Sequence, residues 1–338
     1  MIPSNWHLLS NAPELQQQVQ SFLLSWQQNL PFEFKSSGST GQPQIFKFSK
    51  NQLLVSAKAS VEALHLNADT KALVCLPLSS VGGLMQLARA MVAGFELWID
   101  TPAARPLRQF DTPINFISLV PTQLSESLTN EAAKLKTIQQ ILIGGGPLTT
   151  ELIDACLVQN IHLIQSYGMT ETLSHVALRR IDRQDFPPFT ALNGVHFEQQ
   201  NHCLIIHYPD LQPEPIITND IVHLIDSKHF DWLGRADFAI ITGGAKVLPE
   251  LIEQKLNPYI KQPFFVTGVK DDKWGEVVGL VCEGAPVELE ITWELTGLQV
   301  AERPKKILFI KQFSRSSTLK IQRQATLDQS SHEAWKSL

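Results

Sequence analysis

Apolar positions along this chain fall into short runs that switch between two periods. Gln44–Phe48 and Ala72–Leu76 read as strands, and Lys50–Leu64 between them has helical spacing with Ser49 placed to cap it. Leu84–Ala93 predicts a helix after a break at Val81-Gly82-Gly83, and Phe95–Ile99 predicts a strand behind it. Asn115–Leu119 and Ile138–Ile143 are further strand-like runs, and Thr149–Val158 reads as a helix beyond the Gly144-Gly145-Gly146-Pro147 break. Such alternation predicts an α/β fold with a mostly parallel sheet and covering helices. In an open sheet of this kind a ligand lies at the carboxyl ends of the strands, which is where the glycine cluster falls. From Leu204 onward the runs shorten into Leu204–Tyr208, Val222–Ile225 and Phe238–Ile241.

A length of 338 residues is long for one domain and suits two. A net charge of -5 and a pI near 6.1 argue against a nucleic-acid surface. Met1–His7 has no basic segment leading into an apolar run, so no signal peptide is expected. The most apolar long stretch, Leu84–Ile99, holds Arg89 and Glu96 and is too short and broken to span a bilayer. Cys75, Cys156, Cys203 and Cys282 are scattered without metal-ligand spacing, which predicts buried thiols in a reducing, cytoplasmic compartment.

The chemistry concentrates in a few segments. Ser36-Ser37-Gly38-Ser39-Thr40-Gly41 packs hydroxyls and glycines where backbone N–H groups can approach an anion, although it lacks the order of a Walker loop. Gln165-Ser166-Tyr167-Gly168-Met169-Thr170-Glu171-Thr172 follows, then Thr218-Asn219-Asp220, Gly234-Arg235-Ala236-Asp237 and the tail from Pro304-Lys305 to Lys320-Ile321-Gln322-Arg323. In this order the segments resemble the acyl-adenylate-forming superfamily of acyl-CoA synthetases, luciferases and adenylation domains, over about Phe34–Arg323.

The resemblance implies a large N-terminal domain, 1–234, shortened at its front, and a small mobile α+β C-terminal domain, 235–338, holding a helix at Pro249–Leu256 and strands at Phe264–Val269, Val277–Cys282 and Lys305–Lys311. It implies that Ser36, Ser37, Gly38, Ser39, Thr40 and Gly41 hold the ATP phosphates, with Gln44 where the family has a lysine. Tyr167, beside Gly168 and Gly144, Gly145 and Gly146, would stack on adenine, and Asp220 with Arg235 would take the ribose. Thr170 would touch the α-phosphate, Glu171 would ligate Mg²⁺, and Lys320 would bridge the acid and the α-phosphate, with Leu319 in place of the usual glycine. Asp237 would be the hinge, and Gly243, Gly244 and Lys246 would line the coenzyme A tunnel.

For the acid, Leu76–Leu84 with Arg89 is similar to o-succinylbenzoate–CoA ligases of menaquinone synthesis, with Ser79, Ser80, Gly82, Gly83, Arg89, Ser174 and His175 as pocket candidates. Arg89 either receives a spectator carboxylate or ends a helix face. The expected co-substrates are ATP and coenzyme A, and the protein is expected to be a monomer or homodimer. An enzyme loading a carrier protein, or a non-catalytic adenylate-binding paralogue, stays open beside the ligase.

Overall fold

The computed structural model describes residues 1–35, 44–146, 148–182, 186–287, 289, 291–315, 321–330 and 334–338. In chain order the elements are β1 (Trp6–Leu8), α1 (Pro13–Gln28), β2 (Phe32–Lys35), β3 (Ile45–Phe48), α2 (Lys50–Ala63), β4 (Lys71–Val74), α3 (Val81–Ala93) and β5 (Glu96–Ile99). There follow β6 (Phe116–Leu119), α4 (Pro121–Asn130), α5 (Ala132–Leu135), β7 (Gln140–Ile143), α6 (Thr150–Val158), β8 (Leu163–Gly168) and β9 (His175–Ile181). Four short connections then join β10 (Phe189–Ala191), β11 (His196–Gln200), β12 (Cys203–His207), β13 (Ile216–Asp226) and β14 (His229–Arg235). The last part holds β15 (Ile240–Thr242), β16 (Ala245–Val247), α7 (Pro249–Leu256), β17 (Phe264–Asp271), β18 (Gly275–Glu283), β19 (Lys306–Ile310), α8 (Arg323–Gln329) and β20 (Lys336–Ser337).

The strands before Ala236, except the β2–β3 hairpin, form a 12-stranded sheet in the order β1-β5-β4-β6-β7-β8-β9-β10-β14-β13-β12-β11. The parallel order expected from the alternation holds from β1 through β8. From β9 onward every pairing is antiparallel, because those strands are joined by short connections with no helix to carry a crossover. Alternate residues of the parallel strands feed two cores. Ala72, Val74, Leu97, Ile99 and Leu142 face the cluster that takes α1, α2 and α3. Leu73, Cys75, Trp98, Ile141 and Ile143 face the cluster that takes α4 and α6.

Local chemistry explains the helix starts. Ser49 caps α2 in a reciprocal box: its hydroxyl accepts from Gln52 N at 3.3 Å while its own N donates to Gln52 Oε1 at 2.9 Å. The expected break at Val81-Gly82-Gly83 is instead the first turn of α3, with Ser80 as its cap. A Cβ on Gly83 would lie 2.2 Å from Pro77 O, so the glycine allows the helix start to press on the preceding backbone.

The strands after Phe238 form a separate sheet, β16-β15-β18-β19-β20 with β17 on β18, and it has its own apolar clusters. Two expectations are corrected here. Ala236–Phe238 is a 3₁₀ turn, so the strand expected at Phe238–Ile241 begins at Ile240. The strand expected over Lys305–Lys311 is not the last, because β20 adds antiparallel to it. The chain passes between the two sheets once, through Ala236–Ala239.

Candidate active site

Site residues gather at the carboxyl ends of β7 and β8. After β7, Gly145 has φ +80, and a Cβ on Gly144 would lie 2.6 Å from Ser166 Oγ, whose hydroxyl donates to Ile143 O at 3.0 Å. Substituting either glycine would strain or fill this turn. At the end of β8, Gly168 meets the start of β9 so closely that a Cβ would lie 2.3 Å from Ser174 O and 2.5 Å from His175 Cα. Thr170 and Glu171, in the turn between these strands, are half-buried.

Across the sheet, Asp220 of β13 is buried and collects its neighbours. Tyr167 Oη donates to Asp220 Oδ2 at 2.7 Å, Trp232 Nε1 donates to Oδ1 at 3.1 Å, and Arg235 Nη1 lies 3.7 Å from Oδ1. Burial, with the Asp220 carboxylate beside it, holds the Tyr167 phenol well above its usual range, so it donates at neutral pH. The Tyr167 ring packs edge-on against Phe230 at 5.0 Å and tilted against Phe189 at 5.8 Å. An ionised carboxylate has about four acceptor positions, so Asp220 can accept from a ligand diol besides these donors. Arg235 also grips Asp237, donating through Nε at 2.9 Å and Nη2 at 2.8 Å. Trp232 was not visible from sequence; it reaches Asp220 only because β13 and β14 pair with a register shift beside it.

Arg89 is 2% exposed, on α3. Its Nε donates to Ser60 Oγ at 3.0 Å, Nη1 to Gln86 Oε1 at 2.8 Å and Nη2 to Ser174 Oγ at 2.9 Å, and His175 Nδ1 lies 3.5 Å from Nη2. His175 Nε2 is 2.6 Å from Ser60 Oγ, and burial next to Arg89 keeps this histidine neutral by pushing its pKa well below the usual value. Burial lowers the guanidinium to about 10, so it remains charged at neutral pH. Its hydrogen-bond partners among the described residues are all neutral. Gln86 Nε2 is a further buried donor with no partner among the described residues. Of the other pocket candidates, Ser79 and Gly82 are exposed, and Ser80 is the α3 cap.

Gly243 and Gly244, with φ +56 and +84, make the two-residue turn of the β15–β16 hairpin, and Lys246 is exposed beside them. Trp274, which sequence reasoning passed over, packs against Gly243 and is 42% exposed, with Lys305 Nζ 4.6 Å and Lys273 Nζ 4.9 Å from its ring. The expected phosphate loop, Ser36–Gly41, and Lys320 lie outside the described residues. Among the described residues no group of three or more His, Cys, Asp or Glu side chains could hold a metal. Mg²⁺ takes only one or two carboxylates and completes its coordination with phosphate oxygens and water, so a single carboxylate such as Glu171 is compatible with it.

The AMP-binding enzyme family matches residues 34–193, which include the glycine turn and the Tyr167–Glu171 segment. A solved acyl-CoA synthetase (AMP-forming)/AMP-acid ligase II-like protein from Dyadobacter fermentans is 32% identical, with 95% of each chain covered and a TM-score of 0.63. A probable 2-succinylbenzoate–CoA ligase of Mycobacterium tuberculosis is 28% identical, covering 88% of this chain and 84% of its own. The o-succinylbenzoate CoA synthetase of Bacillus subtilis, solved with its acyl-adenylate intermediate, shares the fold at 22% identity and TM-score 0.73, over 86% of this chain and 68% of its own. The chain is an α/β enzyme of the AMP-forming type. It belongs to the AMP-binding enzyme family.

Proposed function

We propose that this protein joins o-succinylbenzoate to coenzyme A in the cytoplasm, through an acyl adenylate formed from ATP. The observation that carries the choice of acid is Arg89, a buried cation whose partners Ser60, Gln86, Ser174 and His175 are all uncharged. A dicarboxylate supplies the missing anion with the carboxylate that does not react. Relatives bearing the 2-succinylbenzoate–CoA ligase name support the same acid, and four free cysteines suit a reducing compartment. No helix among the described residues is long and apolar enough to cross a membrane.

In the first half-reaction a carboxylate oxygen of the acid attacks the α-phosphorus, and pyrophosphate departs with the electrons of the broken P–O bond. Asp220 and Arg235 hold the ribose, Tyr167 borders the adenine, and Thr170 hydrogen-bonds the α-phosphate. Lys320 offsets charge as it develops and the Ser36–Gly41 segment donates hydrogen bonds to the β- and γ-phosphates, so positioning and electrostatics supply most of the rate. Glu171 would hold Mg²⁺, and that ion would supply positive charge to the phosphates. The part of the chain that follows the Ala236–Ala239 link then turns about Asp237. This brings Gly243, Gly244 and Lys246 to the tunnel for the thiol, which attacks the acyl carbon and releases AMP.

The test is AMP release from ATP with a panel of acids, with coenzyme A or a phosphopantetheinylated carrier protein as acceptor. The reading expects turnover with o-succinylbenzoate and coenzyme A. Robust turnover with benzoate and none with o-succinylbenzoate would sink it.

A further inference from the structure

Between β8 and β9 the chain turns through Met169–Leu173 in a conformation its own backbone preferences oppose. Leu173 has φ +61 at 0% exposure, a strained state for a bulky side chain. The ends of the turn are pressed together at Gly168 and Ser174, where there is no space for a Cβ. Something must hold this shape, and the hydroxyl of Thr172, itself 0% exposed, is placed to do so. Met169 N donates to Thr172 Oγ1 at 2.9 Å. Oγ1 lies 2.6 Å from Ser174 O and 2.9 Å from Met169 O, and its single proton goes to one of them at a time. Leu173 N closes the turn on Thr170 O at 3.0 Å. Ser174 accepts from Arg89 Nη2 through its side-chain Oγ at 2.9 Å, separately from the backbone oxygen that Thr172 faces.

We propose that Thr172 is a positioning residue for the nucleotide: its hydroxyl sets the turn that presents Thr170 and Glu171, and fastens it to the backbone at Ser174, where β9 begins. The proposal rests on the reading of Glu171 as the carboxylate for Mg²⁺·ATP. Valine has nearly the shape of threonine but neither donates nor accepts, so Thr172→Val leaves the Met169 N–H without its acceptor and removes the donor to Ser174 O. Thr172→Ser keeps the hydroxyl and loses only a methyl.

The experiment measures the equilibrium affinity for Mg²⁺·ATP by calorimetry and the hydrogen exchange of the Met169 amide, beside the adenylation rate. Thr172→Val is expected to weaken Mg²⁺·ATP binding by about tenfold, the lower end for losing a residue that orients a metal ligand, and to speed exchange at Met169. Thr172→Ser is expected to stay within about twofold of the parent protein. Unchanged affinity in Thr172→Val, or equal loss in valine and serine variants, would overturn the proposal, since the second outcome marks the methyl and not the hydroxyl. Glu171→Gln separates the two readings. If it binds Mg²⁺·ATP normally, the reading of Glu171 fails and the proposal falls with it. If it weakens binding, the double variant Thr172→Val/Glu171→Gln is expected to be no weaker than Glu171→Gln alone, and additive losses would show that Thr172 acts elsewhere.

Discussion

Arg89 places a charge where water does not reach, and the neutral acceptors around it satisfy its N–H groups without cancelling that charge. A substrate carboxylate would gain from this cation far more than from a surface one, because the desolvation is already present in the folded protein. Arg89→Leu is therefore expected to raise KM for o-succinylbenzoate by about 30-fold or more, while KM for ATP changes by less than about twofold; steady-state kinetics with each substrate varied checks both. A parallel loss of ATP affinity would make Arg89 structural. Two glycines differ as sharply. A Cβ on Gly168 meets backbone at 2.3 Å, whereas Gly244, at φ +84, has open space around it. Gly168→Ala is expected to cost about 3 kcal/mol or more because strands β8 and β9 must part, and Gly244→Ala about 1 kcal/mol from backbone strain alone. Urea unfolding of the two variants measures the contrast.

Helix α7 is tied to the first residue of α8 through a carboxylate that burial makes reluctant to ionise. Arg323 Nη2 donates to Glu253 Oε2 at 2.8 Å and lies 4.0 Å from Glu250 Oε1, while Val266 N donates to Glu253 Oε1 at 2.7 Å. Burial pushes Glu253 up to about 7, against the opposing pull of Arg323 and the Val266 N–H. An acid whose folded pKa is raised binds its proton more tightly when folded, so its contribution to stability grows as pH falls from about 7 toward its unfolded value near 4.5. Glu253→Gln should thus gain stability relative to the parent protein at pH 8 and lose that advantage at pH 5.5, a change of roughly 1–2 kcal/mol in urea unfolding. Elements were readable where local chemistry decides them, as where Ser49 announced the α2 cap, and the resemblance supplied Pro249–Leu256 with the bounds it has. α1 was passed over although Leu15, Val19, Phe22, Leu23 and Trp26 repeat at helical spacing. α3 begins one turn before the expected Leu84, because Gly82 and Gly83, which read as a break in sequence, lie in its first turn, where Gly83 lets the helix start pack. The Asp220 cage was legible as Asp220 and Arg235, directly opposite on β13 and β14, but Trp232 and the Tyr167 phenol join it through strand register and sheet order. Likewise Arg89 stood out as the cation of its segment, whereas Ser60 and Gln86 become its partners only once α2 packs on α3.

At the scale of the molecule, two sheets with separate apolar cores are joined by the four residues Ala236–Ala239. A rotation of one against the other must be absorbed there or in the residues next to it, since the chain crosses nowhere else. Asp237 is the middle residue of the 3₁₀ turn in this link, and Arg235 at the end of β14 holds its carboxylate through two nitrogens. The same arginine leans on Asp220, so the link and the buried carboxylate of β13 are connected by one side chain. Asp237→Pro fixes φ near about −65°, which a helical turn accepts, and it also restricts Ala236 before it, so one arrangement of the domains is held against the other. Adenylation, followed as pyrophosphate exchange, is expected to stay within about threefold of the parent protein, while thioester formation from supplied acyl adenylate falls by about 30-fold or more. Asp237→Asn removes the charge that Arg235 grips but leaves the backbone free, so both half-reactions should persist in it. Equal loss of both steps in the proline variant would mean that the fold itself has suffered, and loss in the asparagine variant would shift the role from the backbone to the Arg235–Asp237 pair. If neither variant separates the half-reactions, the rotation is absorbed outside Asp237, and Ala236 and Ala239 become the positions to fix next.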